Sequence, residues 1–270
     1  MNRAKFARRA SLALCFFLIA IVGFGQTAQQ KQFEPQVGQA GKDVVWVPTP
    51  QALVDKMLEI SKVGPQDFLM DLGSGDGRTV ITAAKRGTRA MGVEYNPDMV
   101  DLSNRNAAKE GVTERAKFVK ADLFETDFSQ ASVVTMFLLP DINLRLRPKI
   151  LDLKPGTRIV SNTFTMDDWK ADETATITEG CTSWCTALLW IVPAKVEGTW
   201  KLPQGELKLT QKYQEITGTL NNVAISGGKM RGDEISFSAG NAQYTGRVAG
   251  NAISGTTKSA GTNGTWKATR

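Results

Sequence analysis

The run Asp71, Leu72, Gly73, Ser74, Gly75, Asp76 and Gly77 constrains this chain more than any other segment. It follows a short apolar stretch at residues 68–72 and precedes an amphipathic stretch that ends at Lys85. That pattern predicts a strand, a tight turn and a helix over 76–85. Glycines in such a turn let the backbone reverse and approach a ligand closely. The N-terminus of the next helix favours an anionic group. A dinucleotide loop of the form G-x-G-x-x-G would need glycine at position 78, and Arg78 stands there. Two further acids mark later strand ends, Glu94 closing 90–94 and Asp122 following 116–121. Asp71 can accept from an ammonium group, directly or through water. Glu94 can take both hydroxyls of a ribose, and Asp122 can accept from an adenine amino group. Three acids at three successive strand ends suit one ligand that carries all three groups.

Apolar periodicity extends this unit in both directions. A helical stripe of Leu53, Val54, Met57, Leu58 and Ile60 follows Thr49 and Pro50, which read as a cap and a first-turn proline. Helices are predicted over 97–110 and 141–153, the latter kinked by Pro148. Strands are predicted over 133–139 and 158–162, with a last pair, 174–178 and 186–192, joined by a short loop. Strand–helix alternation argues for a parallel sheet with right-handed crossovers, and the closing pair for an antiparallel edge hairpin. The fold class is α/β: a seven-strand, Rossmann-like, doubly wound sheet over 43–195.

From residue 196 the helical period disappears. Short alternating runs are separated by Asn221-Asn222, Gly227-Gly228, Gly240-Asn241 and Gly250-Asn251, all read as turns. Gly198-Thr199-Trp200 is echoed by Gly264-Thr265-Trp266. Residues 196–270 therefore read as a small all-β meander or barrel in which the two Trp-bearing strands meet. Residues 26–42, rich in Gln, Gly and Ala, read as a flexible linker.

The chain has no His, which excludes Ser-His-Asp and Cys-His catalysis and His-based metal sites. Cys181 and Cys185 offer too few ligands for structural zinc, so no metal is expected. They are read as a disulfide if the chain is exported and as buried thiols if it is cytosolic. Residues 1–25 resemble a secretory signal: Arg3, Lys5, Arg8 and Arg9 precede an apolar run from 12 to 24. Those four cations account for most of the +6 net charge, leaving 29 basic residues against 27 acids. That balance gives no nucleic-acid footprint. Residues 198–270 carry nine cations and four acids, a surplus read as scattered solubilising charge or as affinity for an anionic envelope.

At the acid and glycine set the chain resembles class I S-adenosylmethionine (SAM) dependent methyltransferases. More closely, Val47 to Pro50, Asp71 to Arg78, Gly92-Val93-Glu94, Phe137 to Pro140, Leu153 to Gly156 and Asp168-Trp169 resemble a family of small protein-lysine methyltransferases. That family includes the ATP synthase c-subunit methyltransferase and its bacterial relatives. The resemblance implies SAM as cofactor, held by Asp71, Gly73, Ser74, Gly75, Asp76, Gly77, Glu94, Tyr95, Asp122 and Leu123, with Thr49 and Pro50 nearby. It implies an acceptor channel bordered by Phe137, Leu138 and Pro140, and a protein partner with an accessible lysine. Phe137 stands where the family suggests Tyr, so no hydroxyl acts there. The expected location is exported, periplasmic or membrane-anchored through the N-terminal segment, which conflicts with cytoplasmic SAM supply. The alternative is an exported, non-catalytic envelope-binding protein working through its C-terminal β-unit.

Overall fold

The structure is a computed structural model that describes residues 32–203 and 205–270. The leader expected at 1–25 lies outside the described residues. The first sheet contains β1 (Phe68–Leu72), β2 (Arg89–Glu94), β3 (Ala116–Lys120), β4 (Val133–Met136), β5 (Arg158–Asn162), β6 (Glu173–Thr176) and β7 (Thr186–Ile191). Their spatial order is β3-β2-β1-β4-β5-β7-β6. The first five are mutually parallel, and β7 runs antiparallel to both β5 and β6. The order reverses between β1 and β4, and the crevice outside the carboxyl ends at such a switch point is where ligands bind.

Alternation along each strand feeds two cores. Leu69 and Val133 pack with α1 (Gln51–Ile60), α2 (Arg78–Lys85) and α3 (Pro97–Lys109) through Val54, Leu58, Val80 and Val100. Their neighbours Met70 and Val134 face the opposite side, toward Ile142, Leu146 and Ile150 of α4 (Pro140–Leu151). Burial on both faces explains why β1 and β4 read as unbroken apolar runs.

Some local expectations are corrected. Thr49 does not cap α1; the helix starts at Gln51 after Pro50, and the Thr49 hydroxyl instead accepts from Asn162 Nδ2 at 3.3 Å. The second helix begins at Arg78, since Gly77 sits at φ 82°, outside helical geometry. The fourth strand stops at Met136, which leaves 137–139 as loop. The helix expected over 141–153 runs from Pro140 to Leu151, with Pro148 inside it.

The second sheet is a closed barrel of β8 (Gly198–Leu202), β9 (Gly205–Lys212), β10 (Glu215–Leu220), β11 (Val223–Arg231), β12 (Glu234–Ala239), β13 (Ala242–Ala249), β14 (Ala252–Ser259) and β15 (Thr262–Thr269). Closure comes where β15 meets β8, so the strands bearing Trp266 and Trp200 are neighbours, as the repeated Gly-Thr-Trp predicts. Asn221 and Asn222, at φ 50° and 66°, make the expected tight hairpin turn. Gly227-Gly228 is no turn: it lies within β11, where the pairing shifts between Ser226 and Lys229 as a bulge.

The barrel is joined to the first sheet by specific contacts. Tyr213 stacks on Trp169 with ring centroids 5.6 Å apart and donates to Asp168 at 2.9 Å. Lys212 pairs with the same carboxylate at 3.0 Å and Arg147 at 2.7 Å. The Lys212, Tyr213 and Arg147 contacts hold the Asp168 carboxyl at about 2. Trp169 is fully buried, and its carbonyl accepts from Trp190 Nε1 at 2.8 Å. Trp169→Ala is expected to lower the unfolding free energy by about 3–5 kcal/mol. Urea denaturation of both proteins checks this.

Candidate active site

The carboxyl ends of β1 to β5 open into a cavity of about 510 Å³, a size suited to a cofactor. Its character changes along the sheet. Over β1, β2 and β3 the walls are acidic; over β4, β5 and the start of β7 they are Phe137, Leu138, Leu139, Phe164 and Trp184.

Asp71 is buried at the end of β1 and accepts from the Thr135 hydroxyl of β4 at 2.7 Å. Burial pushes its carboxyl up to about 7, and the nearby charges of Asp76 and Glu94 add to the rise. The glycine turn is fastened to β2, with Gly73 and Ser74 both donating from their backbone to Val93 O. Gly75 N donates to Glu94 Oε2 at 3.0 Å and Asn96 N to Oε1 at 2.9 Å. These bonds fix the carboxylate of Glu94 toward the cavity wall. A Cβ on Gly75 would stand 2.7 Å from Trp46 Nε1, and the positive φ of 55° also favours glycine there. The Ser74 hydroxyl is buried in the cavity wall without a partner among the described residues.

Asp122 accepts from Phe124 N at 2.8 Å and is ion-paired with Lys42. The Lys42 bond holds the Asp122 carboxyl below its ordinary range. Lys42 also lies 4.8 Å from the Tyr95 ring centroid. Residues 39–42, expected as linker, therefore lie against the site: Gly38 N donates to Trp46 O, and Ala40 bridges Val45. Arg78 pairs with Asp76 at 2.6 Å and donates to Thr49 O at 2.8 Å.

Of the residues expected from sequence, Thr49, Asp71, Gly73, Ser74, Gly75, Asp76, Glu94, Tyr95, Asp122, Leu123, Phe137 and Leu138 all line this one cavity. Pro50, Gly77 and Pro140 do not. Pro50 precedes α1 and Pro140 opens α4. A Cβ on Gly77 would stand 2.7 Å from the Phe118 ring, so this glycine serves the packing of α2 over the sheet. The sequence reading missed Lys42, Arg78, Thr135, Phe164 and Trp184. Nothing local marks Lys42 or Phe164; Trp184 stands between two cysteines, a weak signal of a constrained loop.

Residues 71–173 match the family model described as the ANTKMT methyltransferase domain. A protein-lysine N-methyltransferase of Saccharolobus islandicus is 48% identical over 140 residues, which cover 51% of this chain and 87% of the relative. The human lysine N-methyltransferase of the ATP synthase c-subunit is 35% identical over 160 residues, covering 58% of this chain and 68% of that one. The chain belongs to the protein-lysine N-methyltransferase family. It is a SAM-dependent methyltransferase, and the non-catalytic alternative is not favoured. A solved structure described as an RNA methyltransferase from Salinibacter ruber, in complex with S-adenosyl-L-homocysteine, is 43% identical at a TM-score of 0.52. It aligns over 56% of this chain and 96% of its own.

The chain's own residues fit the cofactor. Asp71, Asp76 and Glu94 gather negative charge, and the buried Ser74 hydroxyl lacks a partner among the described residues. A cationic ligand with hydroxyl and amine groups answers both. Asp71 titrates near 7 when folded and near 3.8 when unfolded, so the folded state holds its proton more tightly. The ligand-free protein should therefore lose stability as pH rises between those values. A cationic group beside Asp71 favours the ionised form, so SAM affinity should rise with pH up to about 7 and then level. Asp71→Asn should flatten that dependence and weaken binding roughly tenfold or more at pH 8, as calorimetry across pH will show.

Proposed function

We propose that this methyltransferase transfers a methyl group from SAM to a lysine amine of a protein. The observation that carries the proposal is one cavity with an acidic half and an apolar, aromatic half, in a chain 48% identical to a protein-lysine N-methyltransferase. SAM supplies an electrophilic methyl group on a sulfonium centre.

The residues divide the work. Asp71 holds the ammonium group, Glu94 the ribose hydroxyls, and Asp122, with Lys42 and Tyr95 around it, the adenine end. Gly73 and Gly75 let the turn come close, and Ser74 supplies a hydroxyl. Phe137, Leu138 and Leu139 wall the acceptor side. A lysine amine entering such a wall is desolvated, which lowers its pKa and favours the neutral, nucleophilic form. Positioning two reactants in a dry site is enough for a direct displacement, so no covalent nucleophile is needed.

A protein acceptor is favoured over nucleic acid by charge. Among the described lining residues the cations are Lys42 and Arg78, and each is paired to an aspartate. That leaves no run of unpaired cations there to follow phosphates. The Cys181–Cys185 disulfide supports an oxidising compartment, and a SAM-dependent enzyme there needs its cofactor carried or supplied.

Calorimetric titration of SAM into the protein should give micromolar binding, weakened about tenfold or more by Glu94→Ala through the loss of charged hydrogen bonds. Tritium transfer from labelled SAM into lysine of lysate protein should accompany it. Label found in RNA and absent from protein would refute the acceptor class.

A further inference from the structure

Thr186 begins β7, and just before it Cys181 and Cys185 are joined by a disulfide that closes a five-residue loop. The loop lies beyond residues 71–173, which the family model matches. Its base is pinned on both sides. Ile177 N donates to Cys185 O at 3.0 Å, closing the hairpin. Gly180, at φ 68°, packs so that a Cβ there would stand 3.3 Å from Ala52 Cβ of α1.

Trp184 sits inside this closed loop. Its φ of 54° places a bulky residue in the left-handed region, a conformation that persists only where surroundings impose it. Here Trp184 stands directly before Cys185, inside the ring that the disulfide closes. Trp184 is 43% exposed, yet it lines the cavity on the far side of β1 from Asp122. Its ring meets Phe137 edge-on, with centroids 5.9 Å apart. Phe137 in turn stacks with Phe164 at 5.8 Å. The three rings come from three places that follow β4, follow β5 and precede β7, strands that are neighbours in the sheet.

This half of the cavity carries no charge among the wall residues Phe137, Leu138, Leu139, Phe164 and Trp184. An amine that enters it is recognised by ring faces and by exclusion of water. Ring quadrupoles favour a cation, above all one whose charge is spread over methyl groups. An indole left nearly half exposed at the mouth offers the strongest such surface.

We infer that Trp184, held at the mouth by the Cys181–Cys185 disulfide and backed by Phe137 and Phe164, is a specificity-determining residue that receives the acceptor's lysine as an ammonium on arrival, before burial favours the neutral amine, and that receives its methylated forms likewise. The inference rests on the methyltransferase reading above. It makes acceptor recognition, but not cofactor binding, sensitive to thiol reduction.

The test uses the full chain and a lysine-containing peptide bearing unmodified, monomethyl or trimethyl lysine. Peptide affinity is measured by calorimetry at saturating S-adenosyl-L-homocysteine, and SAM affinity separately. Trp184→Ala should weaken trimethyl-lysine peptide binding about tenfold, and Trp184→Phe should restore most of it, as expected for a cation–π surface. Cys181→Ser with Cys185→Ser should weaken the peptide likewise. Reductant should do the same to the wild type and nothing more to the double cysteine variant. SAM affinity should stay within about twofold throughout, because none of these substitutions removes a cofactor contact. If Trp184→Ala binds the peptide as wild type does, or wild type binds none of the peptides while binding SAM, the inference is overturned. Failure of wild type to bind SAM at all removes the methyltransferase reading itself, and the inference with it.

Discussion

Asp71 ends β1 with its carboxyl buried, and the Thr135 hydroxyl of β4 donates to it. Around it the glycine turn is tied to Val93 and Glu94 of β2. The three central strands thus meet at one acid whose charged neighbours, Asp76 and Glu94, are themselves acids. Desolvation and those two neighbours push it toward neutrality. A buried charge without a counter-ion is costly, so the apo site is poised for a ligand that brings positive charge. The fold contributes the rest by placing a switch point between β1 and β4, with the acids on one side and an uncharged wall on the other.

Much of this was legible in the sequence because it is local. Asp71, Gly73 and Gly75 sit within five residues, and Glu94 and Asp122 each close an apolar strand pattern. Strand alternation then fixes which of their neighbours face which core, and it puts all three acids at the same end of a parallel sheet. The barrel was legible for a similar reason, since its hairpins are short and its two Gly-Thr-Trp copies mark the closing strands.

What escaped depends on contacts between distant segments. The Lys42–Asp122 pair joins residues eighty apart, and nothing in a Gln- and Gly-rich stretch signals that it returns to the site. Thr49 has the chemistry of a cap, but Asn162 of β5 claims its hydroxyl. Gly227-Gly228 has turn composition, but Ile216 of the paired strand packs against Gly228, and the extra residue is taken up as a bulge. Trp184 gives no periodic signal because it lies in a disulfide-closed loop and not in a helix or strand.

The loop after β5 shows how the second sheet bears on the first. Phe164, in the cavity wall, has its carbonyl bound by Asn143 of α4 at 3.2 Å, and Arg147 binds the Met166 carbonyl at 2.9 Å. Arg147 also pairs with Asp168, the carboxylate that Lys212 and Tyr213 of the barrel side hold from the other direction. Gln214 donates to Lys170 O at 2.8 Å. Thus residues 164–170 are clamped between α4 and the barrel, with Trp169 buried between Trp190 and Tyr213. An appended domain that only tethered the enzyme would need none of these bonds. Through them the barrel holds the segment that continues from Phe164, a ring in the cavity wall.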